Sequence, residues 1–179
     1  MIFNNKENEK VDLQDGRSIW ISRAVAIVGT ICLIKDGVPY FLIGQRGTGA
    51  ADNHGLWNLP CGYLDWNETT GEAFKREIWE ECGLDISPFL NNNIVNYIDI
   101  PWDINSNPSE NNQNVCVHHG FIAEVDELPE TKILNHVEAD EVSDIKWVSA
   151  KDYLNYEYAF NHKKRIEKFM SKILVKILS

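Results

Sequence analysis

Gly62-Tyr63-Leu64-Asp65-Trp66-Asn67-Glu68, then Thr69-Thr70-Gly71-Glu72-Ala73-Phe74-Lys75, then Arg76-Glu77-Ile78-Trp79-Glu80-Glu81-Cys82-Gly83-Leu84 form one unbroken stretch on which the reading of the chain turns. Thr69 with Glu72 three residues on is a capping box, so the spacing predicts a helix starting there. Gly83, able to take a left-handed conformation, ends it. At 3.6 residues per turn, Glu81 lies about 40° to one side of Glu77 and Glu80 about 60° to the other. Three carboxylates therefore share one face. Phe74, Ile78 and Cys82 gather on the adjacent face, which must pack on a core. Arg76 is one turn from both Glu72 and Glu80 and can pair with either.

Like charges three and four residues apart repel and weaken a helix. Concentrating acids beside the buried face makes sense if a hard cation neutralises them. Carboxylate oxygens suit Mg²⁺ or Mn²⁺, whereas zinc favours His or Cys. A merely solvated acidic face is the competing reading, and the helix alone leaves it open.

The spacing goes further. Gly62, five residues, Glu68, seven residues, Arg76-Glu77, an aliphatic, any residue, Glu80-Glu81, any residue, Gly83 and an aliphatic resembles the signature of the Nudix hydrolase superfamily, the MutT-like domain. The resemblance extends from about Ala24 to Tyr158. It departs at Cys61, where many members carry a second glycine, a change that removes no charged group. Leu56-Trp57-Asn58-Leu59-Pro60 is similar to the family's usual approach to its signature.

The resemblance implies an α/β fold, an α/β/α sandwich with a mixed β-sheet between helices. The box helix is expected on one side and the C-terminal helices on the other. It also implies hydrolysis of a nucleoside diphosphate linked to another moiety, such as ADP-ribose or a nucleotide sugar. Divalent cations would bridge box carboxylates and phosphate oxygens. Glu77, Glu80 and Glu81 match the family's metal ligands. Glu68 is a further candidate, for an ion or for Arg76, and Arg76 reads as a clamp on the carboxylates. Some members use a glutamate in a distant loop as general base. Glu141, six residues before Trp147, stands in a similar place, with Glu138 second; a solvated turn carboxylate is the alternative for both. Arg46 meets a phosphate or caps the sheet. Trp57, Trp102 and Tyr97 stack on a base or belong to the core. Pro101, seventeen residues past Leu84, only hints at the ADP-ribose-cleaving members. His54, His118, His119 and His136 show no ligand spacing. Two other activities stay open: pyrophosphate release from nucleoside triphosphates, and a sensor that binds without cleaving. Sensors commonly lose box carboxylates, and this chain keeps them.

Composition sets outer bounds. The 179 residues suffice for one domain with a real core, with 44 % hydrophobic and 25 % charged residues. Seventeen basic against 27 acidic residues give a net charge of −10. That argues against nucleic acid or anionic membrane as partners and leaves a nucleotide-derived small molecule. Cys32, Cys61, Cys82 and Cys116 have no CxxC spacing, so a zinc site is not expected, and Cys32, Cys82 and Cys116 read as buried, small apolar thiols. No signal-peptide pattern stands at Met1 to Glu7, and a reducing cytoplasm is the expected location.

Residues 1–18 read as an N-terminal arm or short hairpin with a turn at Asp15-Gly16, and residues 19–179 as a single domain. Such an arm can cross to a second subunit, and a homodimer is a possible assembly. Ser22 to Lys35 reads as a strand buried on both faces, turning at Asp36-Gly37 into a second strand from Val38 to Gln45. The glycines of the loop 47–55 do not make a P-loop. Further strands are expected over 94–102, 114–125 and 145–148, with 103–113 a polar loop and 138–144 an acidic turn. A helix is expected to start over 150–156. The last stretch, 160–178, predicts an amphipathic helix with Ile166, Phe169, Met170, Ile173, Leu174 and Ile177 on its packing face.

Overall fold

A computed structural model describes residues 9–21, 24–91, 93–106, 115–134 and 140–177. Strands β1 (Glu9–Asp12) and β2 (Ser18–Ile21) pair antiparallel as a two-stranded sheet of their own. The expected arm is thus a hairpin that runs three residues past the boundary at 18; residues 1–8 lie outside the described residues.

The main sheet is built on β3 (Val25–Lys35), whose central residues are all buried, as expected of an apolar strand covered on both faces. It turns at Asp36-Gly37 into β4 (Val38–Arg46). Two short strands follow: β5 (Trp57–Asn58) pairs with β4, and β6 (Cys61–Tyr63) pairs with β3. Then comes helix α1 (Thr70–Cys82). Its N-cap is Thr69, whose hydroxyl accepts from the Glu72 N–H while the Glu72 carboxylate accepts from the Thr69 N–H. Gly83 closes it in the left-handed region, φ 58°, donating its N–H to Trp79 O.

Beyond α1 the structure corrects the expected elements. The strand expected over 94–102 is only β7 (Val95–Tyr97), and the polar stretch after it forms β8 (Asp103–Ser106). Both pair antiparallel with β9 (Val115–Glu124). An aspartate at a strand start is tolerated here because Arg165 Nη1 and Lys168 Nζ reach its carboxylate at 3.0 and 2.6 Å. Next, β10 (Val142–Ser149) pairs with β4. The helix expected over 150–156 is a single 3₁₀ turn, Tyr153–Asn155. Helix α2 (His162–Ile177) ends the described chain. The side chains of Ile173, Leu174 and Ile177 lie outside the described residues.

The sheet order is β10-β4-β3-β9-β7, with β5, β6 and β8 attached. β3 and β9 run parallel and the other pairs antiparallel, so the sheet is mixed, as expected. Side chains alternate faces along a strand. Ile27, Ile31 and Leu33 therefore pack with Phe74, Ile78 and Cys82 of α1 on one face. Val28 and Cys32 pack with Ile166 and Phe169 of α2 on the other. This is the α/β/α sandwich, with α1 fixed over the start of β3 and over β6.

The α2 side carries two buried histidines. Nδ1 of His162 accepts the Leu59 N–H at 3.0 Å, so that nitrogen holds no proton. Burial pushes the pKa of His162 and of His118 down from 6.5 to about 3. A group whose folded pKa is depressed stabilises the fold above its unfolded pKa and loses that contribution as pH falls toward the folded value. Stability is therefore expected to drop between pH 6.5 and 3, by about 2 kcal/mol per histidine by about pH 5 at roughly 1.36 kcal/mol per pH unit. Urea unfolding at about pH 7.5 and pH 5 checks this; an unchanged midpoint contradicts it.

Candidate active site

The site grows from β6 and α1. Glu77 and Glu81 are 4 % and 7 % exposed, and lie on the helix face turned toward β6. Carboxylates this buried need strong partners. The Cys61 N–H donates to Glu81 Oε2 at 3.2 Å. Gly62 leaves the space that Glu77 fills, for a Cβ built there would overlap both of its carboxylate oxygens.

Arg76 gathers Glu68, Glu77 and Glu80. Its Nη1 donates to Glu77 Oε1 at 2.7 Å and to Glu80 Oε2 at 2.9 Å. Nε and Nη2 form a bidentate pair with Glu68 at 3.0 and 2.7 Å, and Nη2 also reaches Tyr63 O at 3.0 Å. Of the two partners one helical turn away, Arg76 thus takes Glu80, while Glu72 is used by the capping box. These hydrogen bonds to acids push the Arg76 pKa up, and the Arg76 bond holds Glu68 below the usual carboxylate range. The Asp65 N–H donates to Glu68 Oε1 at 2.7 Å, which ties the box loop to the same network.

All acceptor atoms in this set are oxygens, the chemistry that suits a hard divalent cation. Among the described residues no three His, Cys, Asp or Glu side chains surround a common point. Glu68, Glu77 and Glu80 are arranged around the Arg76 guanidinium, and Glu81 sits on the Cys61 N–H. The backbone donors at Cys61 and Asp65 and the acceptor at Tyr63 escape a reading of side-chain types.

Arg46 ends β4. Its Nε donates to Asp52 O at 2.9 Å, Nη2 reaches Asp52 Oδ1 at 3.1 Å, and the guanidinium lies 4.8 Å from the Phe160 ring centre. It lines an open pocket of about 290 Å³ with Thr48, His54, Asp140 and Ser143. Glu141 is exposed and does not itself line the pocket, though its neighbours Asp140 and Val142 do; its carbonyl accepts from the Gly47 N–H. Glu138 and His136 lie outside the described residues. A larger pocket of about 630 Å³ sits beside β10, lined by Tyr40, Trp147, Lys151 and Tyr156 among others, and includes no box carboxylate.

Trp57 and Trp102 are buried in the core on the α2 side, 8 % and 5 % exposed. Lys146 Nζ stands 4.6 Å from the Trp57 ring centre, and Tyr156 meets that ring edge-on. Trp102 packs on His118 and Phe169 and carries Lys172 over its ring. The structure thus gives both tryptophans the core environment rather than a face open to a base, because the backbone turns them into the α2 side. Tyr97 is half-buried and packs against the same cluster.

With this geometry in view, three likenesses bear on it. The NUDIX domain of Shewanella oneidensis NrtR, solved with ADP ribose, superposes with TM-score 0.60 at 20 % identity, over 86 % of this chain and 90 % of that one. A bifunctional NMN adenylyltransferase/ADP ribose pyrophosphatase from Francisella tularensis, solved with AMP and a Mn ion, superposes with TM-score 0.67 at 21 % identity, over 84 % of this chain and 42 % of that one. At such identities these likenesses speak to the fold alone. Phosphatase NudJ of Escherichia coli is 34 % identical over 61 residues, 34 % of this chain and 37 % of that protein. The chain thus spans little more than a third of the length of the curated relatives it matches. The NUDIX domain family itself matches residues 23–169, which include every strand of the main sheet, the box and the first half of α2. Helix α1 is capped at Thr69 and Gly83 and sets Glu77 over Gly62, and over residues 23–169 the chain belongs to the NUDIX family.

Proposed function

We propose that the protein hydrolyses the diphosphate linkage of a nucleoside diphosphate derivative, such as ADP-ribose or a nucleotide sugar, with Mg²⁺ or Mn²⁺. The observation that carries this is the burial of Glu77 and Glu81 side by side on α1, Glu77 against Gly62 and Glu81 on the Cys61 N–H. The cost of burying two like charges argues for a function beyond stability.

Glu77, Glu80 and Glu81 would hold the cation, with Glu68 as a further ligand or as the anchor of Arg76. When bound, the ion would neutralise the diphosphate and make a bound water more acidic. Arg76 acts as a positioning residue, fixing Glu77 and Glu80 through Nη1. Glu141 is the proposed general base, taking the proton of the attacking water. Arg46 is the proposed phosphate contact at the rim of its pocket. Residues 1–18 are proposed as an arm and residues 19–179 as a single domain. A homodimer and a cytoplasmic setting complete the proposal. Among the described residues no helix is long and apolar enough to cross a membrane.

The test incubates the protein with Mg²⁺ and ADP-ribose, dinucleoside polyphosphates, nucleotide sugars, NADH and the nucleoside triphosphates, scoring phosphate after phosphatase treatment. Turnover of a diphosphate derivative supports the proposal, and pyrophosphate release from triphosphates alone favours the second activity. Tight binding of one compound with no turnover of any would make the protein a sensor and overturn it.

A further inference from the structure

Trp66 lies inside the box, two residues before Glu68, and 94 % of its surface is exposed. Among the large apolar residues described as exposed, none is more so. Water meets nearly the whole indole, although Trp is on average a highly buried residue.

The backbone holds it there. On one side Tyr63 O accepts from Arg76 Nη2. On the other, Glu68 is fixed by its bidentate pair with Arg76 and by the Asp65 N–H. Between them Asn67 takes φ 64°, a left-handed turn that sends the chain back toward the helix cap. The loop is pinned at both ends to the guanidinium that also holds Glu77 and Glu80. The indole is therefore a projecting ring on a fixed support, within two residues of the acid cluster.

Its sequence neighbours, Asp65 and Asn67, are polar and exposed. A stable contact between copies needs roughly 800 Å² on each side. A single indole between polar residues supplies far less, but it suits one flat ring. Tyr63, three residues earlier at the end of β6, is a second exposed aromatic residue, 55 % exposed.

We propose that Trp66 is a specificity-determining residue that stacks on the nucleobase of the substrate while the box carboxylates serve its diphosphate. This rests on the hydrolase reading given above. It also supplies the base contact that Trp57 and Trp102, both in the core, leave unfilled.

The test measures steady-state kinetics of the wild type, W66A and W66F on ADP-ribose and on phosphoribosyl pyrophosphate, a diphosphate without a base. The expected result is a rise in KM of about tenfold or more for ADP-ribose in W66A, the scale of one base–aromatic stack. That rise should exceed the rise for the base-free compound at least severalfold, kcat should hold within about twofold, and W66F should recover most of the loss. In parallel, AMP should quench tryptophan fluorescence more in the wild type than in W66F. Equal effects on the two compounds, or no effect and equal quenching, would overturn the stacking role. If the wild type turns over neither compound, the fluorescence arm still decides the Trp66 contact, while the hydrolase reading is what fails.

Discussion

Glu81→Gln is expected to lower kcat on the order of 100-fold or more while leaving the fold intact. The substitution keeps the shape of the side chain and removes one negative charge. The Gln carbonyl can still accept the Cys61 N–H that Glu81 Oε2 accepts at 3.2 Å, so the local backbone keeps its bond. Replacing a buried charge by a neutral group removes a desolvation cost, and the unfolding midpoint should hold or rise. A group that merely supports a metal ligand typically costs 10–100-fold when lost, so loss of a ligand itself should cost at least as much. The split between activity and stability is the informative part. A solvated acidic face, the competing reading of this helix, predicts an unchanged rate.

The second large effect is expected from Gly62→Ala. A Cβ at this position would run into Glu77 Oε1 and Oε2, well inside contact distance. Glu77 cannot retreat freely, because Arg76 Nη1 holds Oε1 at 2.7 Å and the helix around it is packed on the sheet. Either the carboxylate turns out of place or β6 lifts from its pairing with β3 at Ile27. Overpacking of this kind costs about 1–3 kcal/mol of stability. Activity is expected to fall on the order of 100-fold, since the displaced group is a proposed metal ligand. Thermal unfolding and kinetics of the single variant check both. Ordinary activity in Gly62→Ala would mean that the close approach of strand and carboxylate has no part in the chemistry.

Both substitutions fall on residues whose place is legible in the sequence alone. Thr69, Glu72 and Gly83 mark the helix by local chemistry, and the structure forms those caps. The position of Phe74, Ile78 and Cys82 on the packing face follows from helical rotation, and they enter the core beneath α1. β8 is not legible in this way, because Asp103 to Ser106 is polar and its support comes from Arg165 and Lys168, over sixty residues away in sequence. The buried Ile98 and Trp102 give the flanking stretch a strand-like look, whereas β7 ends at Tyr97. The fate of Trp57 and Trp102 is open for a related reason: an aromatic ring in a sequence does not say which side of the sheet will cover it. Trp66 does not stand out in the sequence, since a tryptophan is ordinarily read as core. Only the exposure of its side chain separates it from Trp57 and Trp102.

Glu77 and Glu81 are expected to hold a divalent cation together. Mn²⁺ binding, followed by the loss of its free electron-paramagnetic-resonance signal, tests this most directly and requires no substrate. The wild type should remove Mn²⁺ from solution saturably, and Glu77→Gln and Glu81→Gln should each weaken that uptake by about tenfold or more, the cost of losing a ligand, with folds unchanged by circular dichroism. Equal uptake by all three proteins, or none by the wild type, would contradict a shared cation at these two carboxylates.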